Sequence, residues 1–314
     1  MADLSSGQRD RGQLILVTAF ALAAIFLGLA IIVNSAIFTE NLATRSENVD
    51  STKALEYRHG VTQFTGEVIG FANENNATTN ETIRRNVTDG IRDINDYTGI
   101  QQAQRGTGIA LELDSSTNGS RIFQSDAGTF ENNETTADWT LATDVTRTRA
   151  FEINVTTHST GDFTVAVEDT DSSDEWDLTI SNSTVTVDRS GISTESCSVG
   201  TVETVDVTAA TVNGEVCPAL QDTEAGEDLY FAAGIDDEYE INFENADNIE
   251  GTYSLVVDNA SLDGSTNDNY AEVDGPGSGA RVTPAMYSAI LDFEYETPEV
   301  EYETDVRVAP GEPA

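Results

Sequence analysis

The sequence predicts an α+β protein, in which an N-terminal transmembrane or stalk helix and a second helix precede an antiparallel β-sandwich-like domain. Two patterns support this: a long uncharged apolar run near the start, and a change of apolar spacing near Gly108, from that of a helix to that of a strand. We divide the chain into a cytoplasmic leader, a transmembrane helix, a helical stalk or hairpin and an extracellular all-β domain, at residues 1–12, 13–38, 39–105 and 106–310.

The apolar run extends from Leu14 to Val33, twenty residues without a charge. As a helix it would be about 30 Å long, which is the thickness of the hydrocarbon core of a bilayer. One alternative, a buried helix of a soluble protein, is rarely apolar on every face. The other, a cleaved secretory signal, has a shorter apolar region of about 7 to 15 residues. Arg9 and Arg11 precede the run, which favours a single-pass protein of the cell membrane with its short N-terminus inside.

The residues directly before this run suggest a family. The sequence Arg9-Asp10-Arg11-Gly12-Gln13 resembles an archaeal prepilin-type signal. The resemblance implies that a prepilin-type peptidase cuts between Gly12 and Gln13, and that the retained helix packs against other pilin-like subunits in a filament. Val17 stands where many type IV pilins carry Glu, and archaeal members often lack that Glu. The overall layout is similar to that of pilin-like proteins of halophilic archaea.

Small residues recur at four-residue spacing inside the apolar run, at Ala19, Ala23, Ala24 and Gly28. On a helix this spacing places them along one face, and small faces allow helices to approach closely in lipid. The alternative is the ordinary abundance of Ala and Gly in membrane helices.

Two helices are predicted after the apolar run. Residues at alternating spacings of four and three give each helix one apolar stripe. Thr78, with Glu81 three residues later, has the form of a capping box that opens the second helix. We expect an antiparallel pair in which each helix covers the stripe of the other. The stripes are Tyr57, Val61, Phe64, Val68 and Phe71, then Ile83, Val87, Ile91, Ile94 and Tyr97.

Beyond Gly108 the apolar residues alternate with Thr, Asp, Glu, Asn and Ser, which is typical of an antiparallel sheet with one solvated face. We therefore predict a β-sandwich or a related all-β unit. The alternating runs are Phe151, Ile153 and Val155; Phe163, Val165 and Val167; Trp176, Leu178 and Ile180; Val185 and Val187; Val205 and Val207; Tyr239, Ile241 and Phe243; Leu291, Phe293 and Tyr295; Val300 and Tyr302.

The chain is strongly acidic, with 56 Asp and Glu against 15 Lys and Arg and a formal net charge of -41. Residues 106–314 hold 44 of the acids and six of the bases. Such a charge repels phosphates, so we exclude nucleic acid as a partner. High charge also occurs in disordered chains, but the regular alternation of apolar residues favours a folded protein adapted to molar salt, where the Debye length falls to about 3 Å.

Cys197 and Cys217 are the two cysteines. In an exported segment an even pair predicts a disulfide. Two buried thiols are the alternative, and with His59 and His158 as the remaining candidate ligands we expect no metal site there.

Asn-x-Ser/Thr sequons are also frequent, and all of them follow the apolar run, as N-glycosylation on the outer side requires. They begin at Asn76, Asn80, Asn86, Asn118, Asn133, Asn154, Asn182 and Asn259.

No catalytic motif is evident, and we predict a protein without enzymatic activity, cofactor or metal. Acidic groups such as Asp169-Thr170-Asp171 with Asp174 could supply calcium ligands, but none forms a complete calcium-binding loop. A pair of carboxylates of glycosidase type stays open, because only geometry reveals such a pair. The main prediction is a pilin-like structural or assembly subunit in contact with membrane lipid. Its rivals are a monomeric membrane-anchored surface module for binding or adhesion and an anchored carbohydrate-active enzyme.

Overall fold

The computed structural model describes most of the chain after residue 51: residues 52–74, 79–103, 106–159, 161–189, 194–221, 229–235, 237–262, 268–273, 275 and 277–313. The predicted transmembrane helix, the predicted cleavage site at Gly12 and Gln13, and the sequon at Asn76 lie outside these residues. Among the described residues no helix is long and apolar enough to cross a membrane.

Two helices open the described part. Helix α1 spans residues 52–74 and helix α2 spans Asn80–Ala103. The hydroxyl of Thr79 accepts a hydrogen bond from the backbone N–H of Thr82 at 3.2 Å, which satisfies one of the first N–H groups of α2. The predicted cap Thr78 lies outside the described residues, and the capping residue seen is the next one along the chain.

Fourteen strands and two short 3-10 turns follow within the described residues. The turns are Pro218–Leu220 and Ala246–Asn248. The strands are β1 Gly108–Thr129, β2 Trp139–Val145, β3 Thr148–His158, β4 Phe163–Asp169, β5 Glu175–Ile180, β6 Thr184–Arg189, β7 Glu195–Ser198, β8 Thr204–Asp206, β9 Thr211–Val212, β10 Glu215–Val216, β11 Tyr239–Glu244, β12 Ile249–Val257, β13 Arg281–Glu296 and β14 Glu301–Val308.

The strands form two sheets. The larger has the order β10-β9-β8-β3-β12-β1-β13-β14 and the smaller β2-β11-β4-β5-β6-β7. The described strand pairs are antiparallel, and their inner faces enclose one large core that includes Trp176, Phe151 and Phe243. Aromatic rings meet edge to face in this core, for example Phe163 and Phe243 with centroids 5.0 Å apart. The predicted α+β architecture with a β-sandwich-like unit is therefore confirmed.

The long strands β1 and β13 serve two cores. Their paired ends at Ile122 and Val282 belong to the sandwich core, whereas Leu111 and Phe293 belong to a second core shared with α1, α2 and β14. The register of β1 against β13 shifts between Leu113 and Ser115 and again between Thr117 and Asn118. The helices consequently do not form a separate stalk but cover one end of the larger sheet.

Most residues of the predicted alternating runs are buried, as expected; Val155, Val300 and Tyr302 are half-buried. The helical stripes were predicted less well. Phe64, Phe71 and Tyr97 were expected to be covered, yet they are 50%, 70% and 72% exposed. The residues that α1 buries instead are mostly small or polar: Ala54, Thr65, Gly66, Ile69, Ala72 and Asn73.

Candidate interaction surface

A groove between α1 and α2 is a concave surface with a mainly apolar lining. It has a volume of about 600 Å³ and is open to solvent. We call it the hairpin groove. Its lining consists of Glu56, Tyr57, Gly60, Val61, Phe64, Val68, Gly90, Asp93, Ile94 and Tyr97.

Glycines shape the hairpin groove. A Cβ added to Gly90 would lie 2.7 Å from Cγ1 of Val68, closer than Cβ atoms approach their neighbours, so a side chain at Gly90 would push the two helices apart. A Cβ at Gly60 would meet nothing within 4 Å. The two helices are therefore in close contact at Gly90 and Val68, whereas the groove is open at Gly60 near the start of α1.

Two bulky side chains in the lining of the hairpin groove are exposed. Phe64 on α1 and Tyr97 on α2 expose half and about three quarters of their surface. Exposed apolar residues that occur singly are normal on protein surfaces, but a contiguous apolar depression is typical of an interaction site. The apolar lining of this groove contrasts with the net charge of -41 that the whole chain carries. The charged groups in its lining are the carboxylates Glu56 and Asp93.

Paired asparagine contacts hold the hairpin against the sheet. Asn73 of α1 donates to the carbonyl of Met286 at 3.0 Å and accepts from its N–H at 2.9 Å. Asn95 of α2 contacts Leu111 in the same way, at 2.7 and 3.1 Å. At Leu111 the β1 backbone pairs with β13 on one side, so Asn95 satisfies the backbone groups that this edge would otherwise leave open. These contacts hold both helices, and with them the hairpin groove, against the larger sheet.

Arg149 fixes the C-terminal segment to the same region. Its guanidinium is buried and donates to three backbone carbonyls, those of Met286, Tyr287 and Pro310, at 2.7 to 2.8 Å. Burial lowers the pKa of Arg149 to about 10. Farther along the segment, Glu312 accepts hydrogen bonds from Tyr287 and Arg307, and the bond from Arg307 holds the pKa of this carboxyl below its usual value.

Two clefts lie beside this C-terminal segment. They have volumes of about 340 and 190 Å³, and Tyr230 and Pro313 line both. The larger is also lined by Thr208, Leu220 and Gln221. Tyr230 is 37% exposed and offers an aromatic surface with a hydroxyl, which suits a small polar ligand better than a helix.

The predicted disulfide between Cys197 and Cys217 is present, with a Cα–Cα distance of 5.7 Å. Cys197 lies on β7, the outermost strand of the smaller sheet, and Cys217 directly follows β10, the outermost strand of the larger sheet. The bond therefore joins the margins of the two sheets on one side of the sandwich.

The described sequons divide into two groups. Asn86, Asn118, Asn133 and Asn182 are exposed. The other three, Asn80, Asn154 and Asn259, are half-buried. The side-chain nitrogen of Asn154 donates to Glu152 at 2.6 Å, and that of Asn259 donates to the carbonyl of Thr143 at 2.9 Å. Oδ1 of Asn80 is buried and lacks a hydrogen bond.

Acidic side chains oppose one another across β13 and β14. The pairs are Asp292 with Asp305, Glu294 with Glu303, and Glu296 with Glu301. Carboxylate oxygens of Asp292, Glu294 and Glu303 lie within 4.8 Å of one another. Facing carboxylates destabilise a sheet unless solvent ions screen them.

The carboxylates of Asp169 and Asp258 accept hydrogen bonds from the backbone of nearby turns. Oδ1 of Asp169 accepts from the backbone N–H groups of Asp171 and Ser172, both at 2.7 Å, and so stabilises the turn between β4 and β5. Asp258 accepts from the N–H groups of Thr146 and Arg147. Both are turn-stabilising contacts of ordinary type.

The smaller sheet carries a similar acidic surface around Asp177. Partial burial, followed by the nearby carboxylates of Glu175, Glu244, Asp188 and Glu168, raises the pKa of Asp177 to about 6. Asp188 lies directly opposite Asp177 across β5 and β6.

The two histidines occupy different surroundings. His59 is exposed on α1. His158 is half-buried at the end of β3, both of its ring nitrogens lack a hydrogen bond, and burial lowers its pKa.

Sequence reasoning did not find the hairpin groove, because the pattern of apolar residues assigned Phe64 and Tyr97 to covered faces.

Comparison with known proteins adds no relative: no family model, no curated protein and no solved structure matches the chain.

Proposed function

We propose that this chain is a pilin-like structural or assembly subunit of the cell surface, held in the membrane by the apolar helix predicted at residues 13–38, with the sandwich outside. The observation that carries the proposal is the hairpin groove. It is an apolar surface on an acidic protein, and it lies on the two helices that follow the apolar run in the chain. Such a surface is expected of a subunit that packs against other apolar helices.

Three further features are compatible with an outer location. The disulfide between Cys197 and Cys217 suits an oxidising environment. Four of the sequons present exposed asparagines. The facing carboxylates of β13 and β14 suit a concentrated salt solution, in which they are screened.

The leader Arg9-Asp10-Arg11-Gly12-Gln13 gives this proposal its sharpest test. The protein is isolated from membranes of a salt-loving host, and its intact mass and N-terminal sequence are determined. A start at Gln13 is expected, since a prepilin-type peptidase would remove residues 1–12. A Gly12→Leu variant should keep its leader. A wild-type chain that retains residues 1–12 would refute processing of this type.

A second candidate is a monomeric membrane-anchored module for binding or adhesion. The two clefts around Tyr230 and Pro313 favour it, because an exposed aromatic beside polar groups is a common arrangement for small polar ligands. The size of the cross-linked species distinguishes the two functions. Cross-linking in intact membranes should give multimers for a subunit and monomers for a binding module.

A further inference from the structure

We infer that the sandwich binds a small acidic sugar, a sugar ring with one carboxylate, in the cleft of about 190 Å³ that Arg147, Tyr230 and Glu312 line. We call this the Arg147 cleft. The inference goes beyond the proposed structural role and holds whether or not copies of the chain assemble. It rests only on the clefts that favour the second candidate function, and it gives that function a class of ligand.

Arg147 differs from the other arginines of the acidic domain. Residues 106–314 contain six basic residues, all of them arginines. Arg147 is exposed, and within the described part of the chain its guanidinium forms no hydrogen bond or ion pair. The other five guanidinium groups lie against a ring, a backbone carbonyl, a carboxylate or a turn: Arg121 with Phe123, Arg149 with Met286, Arg189 with Gly234, Arg281 with Gly275 and Arg307 with Glu312.

The backbone of Arg147 is held in place while its charge stays available. Thr146 and Arg147 connect β2 to β3. Oδ1 of Asp258 accepts hydrogen bonds from the N–H groups of both residues at 3.0 Å, and Oδ2 accepts one from the hydroxyl of Thr146. The carbonyl of Arg147 accepts in turn from the N–H of Asp258 at 3.1 Å. Asp258 therefore uses both carboxylate oxygens on this connection and leaves the guanidinium for another anion.

Tyr230 is presented by an anchored turn. The next residue, Phe231, is buried, and its ring meets that of Trp176 at 5.2 Å between centroids. On the other side Nε1 of Trp176 donates to the carbonyl of Leu229 at 3.2 Å. Ala232 in the same turn has a left-handed φ of 58°, which is uncommon for a residue with a side chain and is often found at binding sites. The exposed ring of Tyr230 is consequently a fixed part of the cleft.

The lining of the Arg147 cleft favours a sugar with a carboxylate. A guanidinium forms paired hydrogen bonds with a carboxylate, and the ring of Tyr230 offers an apolar face with a hydroxyl. Thr146 and Glu312 add acceptors for sugar hydroxyls, because a carboxylate that accepts two hydrogen bonds has further lone pairs. The charge of Glu312 also disfavours phosphate and sulfate, since it repels a dianion more strongly than a single carboxylate.

The acidity of the whole chain does not prevent binding of an anion in concentrated salt. At molar salt the repulsion from distant carboxylates is screened beyond about 3 Å. Paired hydrogen bonds between guanidinium and carboxylate act at contact and remain. The groups that line the cleft, rather than the net charge of -41, therefore decide which ligand binds.

Equilibrium dialysis of the full chain tests the inference. The protein is extracted from membranes in detergent and molar salt and is dialysed against radiolabelled glucuronate or glucose, which differ in the carboxylate. Glucuronate should bind at least about tenfold more tightly than glucose. Arg147→Gln should lower the affinity for glucuronate about tenfold. The matched control, Arg58→Gln, removes the same charge from an exposed position of α1 and should leave the affinity unchanged.

Tyr230→Ala should also weaken the binding of glucuronate, about fivefold or more, because the sugar ring loses its aromatic contact. Both side chains are exposed, and unchanged Tm values will show that the variants are folded. Absence of glucuronate binding would overturn the inference, as would equal affinities for glucuronate and glucose or no effect of Arg147→Gln. Inorganic phosphate that displaces labelled glucuronate as well as unlabelled glucuronate does would assign the cleft to anions in general and overturn the sugar.

The same sample separates this inference from the proposed function. Its N-terminal sequence reports whether residues 1–12 have been removed. A chain that keeps these residues and binds glucuronate would refute prepilin-type processing and support the ligand. A chain that starts at Gln13 and does not bind glucuronate would support the processing and overturn the ligand.

Discussion

The amide group of Asn73 replaces a missing strand neighbour for Met286, since it donates to the carbonyl and accepts from the N–H of the same residue at 3.0 and 2.9 Å. Asn73 is buried on α1 and Met286 lies at a register shift of β13. This one contact fixes α1 in position relative to the sheet and thereby fixes one wall of the hairpin groove.

Replacement of Asn73 by Ala should lower the free energy of unfolding by about 2 kcal/mol, because the buried N–H of Met286 loses its partner. Urea unfolding in molar salt measures the change. The control is Gln63→Ala at an exposed position of the same helix, for which we expect a change below about 0.5 kcal/mol. Equal effects of the two substitutions would show that the Asn73 contact adds nothing to stability.

Asp177 should give the protein an unusual dependence on pH. Its pKa in the folded protein is about 6, above the ordinary value of 3.8, so the folded state binds a proton that the unfolded state releases. The contribution of this group to the free energy of unfolding is therefore greatest below about pH 4 and falls as the pH rises through 6.

The variant Asp177→Asn should remove this part of the pH dependence and stabilise the protein at pH 7.5. We expect a gain on the order of 1 kcal/mol, or a rise of about 2–4 °C in Tm, since solvent screens a half-buried carboxylate. Thermal unfolding between pH 4 and 8 at constant salt measures it. Glu215→Gln, at an exposed position of β10, should leave the pH dependence as in the parent protein. Parallel curves for Asp177→Asn and the parent would contradict the prediction.

The facing carboxylates of β13 and β14 predict a salt-dependent stability. Glu303 lies directly opposite Glu294. Glu303→Gln should raise the free energy of unfolding by about 0.5–1 kcal/mol at 0.1 M salt, where charges interact over about 10 Å, and should have little effect in molar salt. Unfolding curves at both salt concentrations test this. Asp126→Asn, at an exposed position of β1, is the control; a gain of the same size there would point to net charge rather than to the pair.

Burial predicts which sequons carry glycans if the sandwich is outside the cell. The glycan is attached through the side-chain nitrogen of Asn, so this atom must be accessible. Asn86, Asn118, Asn133 and Asn182 should be occupied, whereas Asn154 and Asn259, whose side-chain nitrogens donate hydrogen bonds, should not. Mass spectrometry of peptides from the native protein gives the occupancy at each site. Full occupancy at Asn259 would contradict the prediction.

The sandwich could be predicted from the sequence because its strands obey a simple alternation. Trp176, Leu178 and Ile180 are buried as the period of two requires. Strand β1 was missed as an alternating run, because its register shifts between Leu113 and Ser115 and again between Thr117 and Asn118. Each shift changes which residues face the core and so interrupts the pattern.

The buried face of α1 could not be predicted from its apolar residues. The helix approaches the C-terminal segment so closely that a Cβ on Gly66 would lie 3.3 Å from Cβ of Pro310. Small residues such as Ala54 and Ala72 permit this approach, and they carry a weaker apolar signal than Phe64. The hairpin groove exists because the large residues lie beside the buried face rather than on it.

The disulfide between Cys197 and Cys217 and the acidic edge strand β14 protect different margins of the sandwich. The disulfide ties together the outermost strands β7 and β10, so the two sheets cannot separate on that side without breaking a covalent bond. The opposite outer strand of the larger sheet, β14, carries Glu301, Glu303 and Asp305, and charged side chains on an edge strand discourage pairing with another molecule. Copies packed side by side would therefore not extend the larger sheet by pairing at β14.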